Sequence, residues 1–96
     1  MQNKLKSTEV DLLVSGMMCL TSPQEYYNFF EDLLTIAELK SIAARFSAAK
    51  LLSEGKTYVE VAEATGVSSA TISRISRCLA YGADGYNLVL ERLKSI

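Results

Sequence analysis

The chain has 96 residues, 49% of them apolar, and a formal net charge of −1 at pH 7. A monomer this small hides only roughly 60–65% of its unfolded surface. That much apolar content excludes a disordered chain and points to a protein partner, most simply a second copy. The near-neutral charge does not by itself advertise a nucleic-acid partner. Residues 1–48 carry four Lys/Arg against six Asp/Glu, and residues 49–96 carry six against five. DNA binding by such a chain needs local placement of its cations and two copies of them.

Cys19 and Cys78 share no metal-ligand spacing, and the chain has no His to help them. They are expected to be buried free thiols in a reducing compartment. No metal and no cofactor is expected. The opening MQNKLKSTEVDLLV has charges where a signal peptide needs an apolar run. No stretch approaches the roughly 18 apolar residues of a membrane span, so no membrane association and a cytoplasmic location are expected.

Leu5 to Leu20 predicts a first helix, capped by Ser7 or Thr8, with Leu12, Leu13, Met17 and Leu20 as its apolar stripe. Gly16 interrupts that pattern. Ser22-Pro23-Gln24-Glu25 is a firmer start, because Ser22 can cap, Pro23 misses no donor and Glu25 can answer back. The helix after it carries Tyr26, Phe30 and Leu33, with Tyr27, Phe29 and Leu34 widening the face. Thr35-Ile36-Ala37-Glu38 starts the next helix, whose face is Leu39, Ile42, Ala43, Phe46, Ala49 and Leu52. Small residues at Ala43, Ala44, Ala48 and Ala49 allow another helix to come close, and Gly55 is the expected exit. Thr57-Tyr58-Val59-Glu60 opens a short helix at once. Repeated helix starts without strand patterns predict an all-α fold in a single domain over 1–96, with no internal repeat or linker.

The stretch 58–79, YVEVAEATGVSSATISRISRCL, fits two short helices joined by a tight turn. Val61 points inward, Ala62 is small where the second helix crosses, Gly66 occupies the turn and Val67 plugs the corner. Ser68 caps the second helix, and Ile72 and Ile75 hold it against the first, with Leu79 extending the stripe. Together these spacings predict a helix-turn-helix. The opposite face offers Ser69, Ala70, Thr71, Ser73, Arg74 and Arg77, small or hydrogen-bonding groups with two long cations among them. Small residues admit a helix to a major groove about 12 Å wide, and arginine can contact guanine or phosphate. A merely solvated helix more often carries Glu, Lys and Gln. Ser68, Ser69, Ala70, Thr71, Ser73, Arg74 and Arg77 are therefore the candidate DNA-contacting residues. Lys56 and Thr57 are better placed for phosphate.

The pieces Ala44-Arg45-Phe46, Leu51 through Tyr58, Thr65 through Arg74 and Leu79-Ala80-Tyr81-Gly82 resemble the Trp repressor superfamily, especially its YerC/YecD branch. The likeness runs from about Leu20 to Leu93. It implies a Trp-repressor-like helical domain that forms an intertwined homodimer, sets two recognition helices in successive major grooves of double-stranded DNA, and regulates transcription. It also implies an effector pocket formed by Thr35, Arg45, Arg74, Ile75 and Cys78. There the resemblance weakens: where the repressor has a glycine that leaves room for indole, this chain has Ile75, and Cys78 replaces a serine. A branched side chain in that space excludes an indole, so DNA binding without tryptophan is expected, with any other small-molecule effector left open.

Beyond the motif, Ala80-Tyr81-Gly82 predicts a helix exit, with Tyr81 packed into the interhelical corner in preference to stacking on something functional. Asp84 is expected to cap a final helix carrying Tyr86, Leu88, Val89, Leu90 and Leu93, closing over the partner subunit. An enzyme is not expected: there is no His base, no carboxylate pair in a polar pocket pattern and no glycine-rich phosphate loop. The competing reading is a protein-interaction module that keeps the helix-turn-helix shape without specific DNA binding. The operator, the regulated genes and the sign of regulation are not legible.

Overall fold

The computed structural model of the protein describes residues 4–96. Met1, Gln2 and Asn3, the first residues of the opening stretch read above, lie outside them. Every regular element among the described residues is an α-helix: α1 (Thr8–Met17), α2 (Pro23–Leu33), α3 (Ile36–Ser53), α4 (Tyr58–Thr65), α5 (Ser69–Tyr81) and α6 (Gly85–Leu93). The chain divides into two compact units, Met1–Leu39 and Lys40–Ile96.

In the N-terminal unit, local capping sets the helix starts. Ser7 Oγ accepts the Val10 N–H at 3.1 Å, and Ser22 Oγ accepts the Glu25 N–H at 3.3 Å. Helix α1 is shorter than the predicted 5–20 span. It stops at Met17, directly after Gly16, the residue that costs a helix interior most backbone entropy apart from proline. Glu25 answers one residue earlier than a capping box requires, its Oε1 accepting from the Thr21 N–H at 2.7 Å and from the Thr21 hydroxyl at 3.1 Å. The Tyr26 and Phe30 rings pack tilted at 6.0 Å, and the Tyr26 hydroxyl donates to the Met17 carbonyl at 3.4 Å. No described residue of this unit is buried within the single chain. Leu12, on the expected apolar stripe, is 74% exposed. Cys19 corrects the expectation of a buried thiol: it is exposed, and its Sγ donates to the Ser15 carbonyl at 3.4 Å.

The C-terminal unit holds the core. Ala48, Ala49, Val61, Ile72 and Ile75 form one buried cluster, with Leu51, Leu52, Ala62, Val67, Leu79 and Tyr86 packed around it. Two consecutive alanines in α3 are fully buried, as close helix approach demands. The exit of α3 is a Schellman turn: Gly55 takes φ +89°, its N–H donates to Leu52 at 3.0 Å, and the Lys56 N–H donates to Leu51 at 3.2 Å. Burying Val61 and Ile72 completely contributes about 1.5–3 kcal/mol each. No helix among the described residues is long and apolar enough to cross a membrane.

Two expectations at the end of the chain fail. Asp84 occupies the position before α6 but does not cap it. It adopts the left-handed conformation at φ 67°, and its carboxylate accepts from Asn87 Nδ2 at 3.1 Å instead of from helix N–H groups. Tyr81 packs into no corner: it is 87% exposed. Of the apolar residues expected on α6, Leu90 is buried, Tyr86 is half-buried, and Leu88, Val89 and Leu93 are exposed.

Candidate nucleic-acid interface

The interface begins with the capping box of α4. Thr57 Oγ1 accepts the Glu60 N–H at 3.1 Å, and Glu60 Oε1 accepts the Thr57 N–H at 2.8 Å. The backbone N–H of Thr57, then its hydroxyl, hold the Glu60 carboxyl below its ordinary value of 4.5, and the Lys56 charge adds a smaller pull. Thr57 thus turns its hydroxyl toward Glu60 and the start of the helix. Lys56, directly before it, is exposed and makes no ion pair among the described residues.

The turn closes as the sequence predicts and with one device it did not reveal. Gly66 ends α4 at φ 74°, a left-handed conformation nearly free only for glycine. Thr65 clamps the corner: its hydroxyl donates to the Val61 carbonyl at 2.8 Å and accepts the Val67 N–H at 3.2 Å. A threonine inside a helical pattern carries no distinctive signal, so the clamp was missed. Ser68 then caps α5, accepting the Thr71 N–H at 3.2 Å and donating to Thr71 Oγ1 at 3.0 Å. The recognition segment runs to Tyr81, two residues past the predicted Leu79.

Helix α5 is sharply two-sided. Ile72 is fully buried and Ile75 is 3% exposed, while Ser69, Ala70, Ser73, Arg74 and Arg77 are exposed. Thr71 is half-buried. Neither Arg74 nor Arg77 forms an ion pair or hydrogen bond among the described residues, so both guanidinium groups are available. By contrast, Lys50 is paired with Glu54. Sequence reading also missed Asn87, whose Nδ2 donates to the Leu79 carbonyl at 2.9 Å and ties α6 to the end of α5.

Four of the five candidate effector residues share one cleft. Arg45, Arg74, Ile75 and Cys78 line one open cleft of about 510 Å³, together with Ser41, Thr71 and Tyr86. Cys78 is half-buried there with a free thiol. Thr35 lies in the N-terminal unit, where it caps α3: its Oγ1 accepts the Glu38 N–H at 3.1 Å, and Glu38 Oε1 accepts the Thr35 N–H at 2.9 Å. Arg45 is exposed and has no ion-pair partner among the described residues.

This arrangement matches a known group of proteins. The family model described as Trp repressor protein matches residues 8–94. The chain belongs to the Trp repressor family. It is 46% identical over 92 residues to the uncharacterized protein YerC of Bacillus subtilis, an alignment covering 96% of this chain and 88% of that protein. A Trp operon repressor homolog of Chlamydia caviae is 39% identical over 61 residues, covering 62% of this chain and 60% of that one. The crystal structure of a TrpR-like protein from Eubacterium eligens superposes with a TM-score of 0.90 at 49% identity, covering 97% of this chain and 96% of that chain. The helix-turn-helix of this Trp repressor family member is therefore α4, the Gly66 turn and α5.

Proposed function

We propose that the protein is a sequence-specific, DNA-binding transcriptional regulator that works as a homodimer on an inverted-repeat operator. The observation that carries this reading is the two-sided α5: two buried isoleucines hold a face of small polar residues and two unpaired arginines to solvent. Small side chains permit entry to a groove about 12 Å wide, and the arginines supply base or phosphate contacts. Membership of the Trp repressor family supports the same reading. Ser69, Ala70, Thr71, Ser73 and Arg77 are assigned to the groove, and Lys56 and Thr57 to the phosphate backbone. Ser68 acts at the helix start, and Arg74 serves either the DNA or the cleft.

The homodimer is supported by the N-terminal unit, where apolar side chains such as Leu12 remain exposed and no described residue is buried by the chain itself. Independence from tryptophan is supported by Ile75, which is both a core residue of the motif and part of the cleft wall. A flat indole needs the space that its branched side chain takes. The net charge of −1 and the exposed apolar residues favour the competing reading of an interaction module without DNA affinity. Salt-dependent retention on double-stranded DNA separates the two, with wild type and Arg77→Ala side by side. The regulator binds, weakens as salt rises, and loses affinity on substitution; the interaction module is indifferent to DNA.

A further inference from the structure

Tyr81 is the last residue of α5 and is 87% exposed, far more than a tyrosine with an intramolecular role. Its hydroxyl makes no hydrogen bond among the described residues. Its placement on the helix is informative. At 100° per residue, Tyr81 falls one turn beyond Arg77 and two turns beyond Arg74, on the arc opposite Ile72 and Ile75. An apolar ring with a free hydroxyl thus stands in line with the two unpaired arginines.

The chain turns out of the helix directly after that ring. Gly82 follows at once, and a Cβ there would sit 2.5 Å from the carbonyl oxygen of Cys78, which is backbone and cannot give way. Only glycine therefore fits the turn by which the backbone leaves the helix directly after Tyr81.

We infer that Tyr81 is a DNA-backbone contact, its phenolic hydroxyl donating to a phosphate at the lip of the major groove while its ring rests against the neighbouring sugar. This rests on the DNA-binding reading of α5. A recognition helix contacts base edges with its N-terminal residues. Ser69 to Tyr81 spans about 18 Å along the axis, whereas the groove is only about 8.5 Å deep. A residue that far along has passed the groove floor and stands over a phosphate strand. Arg77, about 6 Å nearer the floor, brings positive charge to the carbonyl end of the helix, which would otherwise repel the phosphate. A tyrosine hydroxyl is a neutral donor, so its contact carries no sequence information and releases no counterion.

These properties define the test. Wild type, Tyr81→Phe and Lys56→Ala are titrated into a labelled random-sequence duplex over a range of salt concentrations, with sedimentation of each protein alongside. Tyr81→Phe keeps the ring and removes only the hydroxyl, so the fold is not at risk. It should raise Kd by about two- to tenfold, the value of one hydrogen bond, with the salt slope unchanged. Lys56→Ala should lower that slope by about one contact. Equal affinity of Tyr81→Phe and wild type would overturn the inference. So would a weakened self-association of Tyr81→Phe, which would place the ring on a protein partner. Failure of wild type to bind any duplex is a separate result: it removes the DNA-binding reading itself and this inference with it.

Discussion

The Ser68 hydroxyl serves Thr71 twice, accepting its backbone N–H at 3.2 Å and donating to its Oγ1 at 3.0 Å. One residue thereby fixes both the first turn of α5 and the side chain of a groove candidate. Ser68→Ala removes both bonds and should lower stability by about 1 kcal/mol, within a range of about 0.5–2. Urea denaturation checks the loss. The same variant should bind DNA more weakly, because the segment meant for the groove frays first. A stability equal to wild type would show that the cap does not hold α5.

Acid should loosen the helix starts. Glu38 and Glu60 each have carboxyls held below the ordinary 4.5, chiefly by the backbone N–H groups of Thr35 and Thr57 and secondarily by their hydroxyls. Because the folded values are depressed, the stabilisation is fully present above 4.5 and fades as pH falls through the folded values. Glu54, bonded to Lys50, and Glu25, bonded to Thr21, act in the same direction. Urea midpoints should therefore decline from about pH 5 to pH 3. The double variant Glu38→Gln/Glu60→Gln keeps the amide oxygen as acceptor but cannot titrate, and should decline less over that window.

Ile75 joins the core to the cleft, so its replacement has two readable effects. Ile75→Ala should cost about 2–5 kcal/mol, because Ile75 is 3% exposed and its loss leaves a void among Val61, Ile72 and their neighbours. With Ile75 in place, calorimetry at millimolar L-tryptophan should give no saturable heat. Binding of one tryptophan per chain, coupled to tighter DNA binding, would contradict the tryptophan-independent reading.

Sedimentation equilibrium at low micromolar concentration should give twice the chain mass. The N-terminal unit buries none of its described residues by itself, and burial of apolar area at about 25 cal/mol per Å² is the main force available to order it. A folded monomer with intact α1 and α2 at that concentration would contradict the dimer.

Much of the helical framework was legible because its signals are local. Ser22, Thr35, Thr57 and Ser68 each bond a backbone N–H three residues on, and Gly55 and Gly66 take the left-handed angles their positions require. The buried side of the motif, Val61, Ile72 and Ile75, followed from helical spacing. What escaped depends on where separate elements meet. Asn87 on α6 bonds the Leu79 carbonyl on α5, a contact between elements that no local spacing announces. Asp84, placed before α6, was diverted from capping by its left-handed backbone and by Asn87. Tyr81, expected in a corner on residue type alone, is exposed at the end of α5, where the exit has room only for Gly82. Of the candidate site, the α5 face was legible as a periodic pattern. The meeting of Arg45 with Arg74 and Cys78 in one cleft came instead from the family resemblance.

The most direct measurement is selection of bound duplexes from a random pool, followed by footprinting with wild type and the Arg77→Ala/Lys56→Ala double variant. Two copies of α5 related by a twofold axis should meet grooves on one side of the duplex. The recovered site should then be an inverted repeat with half-sites about 34 Å apart, one helical turn. Loss of one base-reading contact should cost about 1–3 kcal/mol and alter preference at one position, and the double variant should lose the footprint. Recovery of no common sequence, of a site without twofold symmetry, or of an undiminished footprint with the double variant would contradict the account.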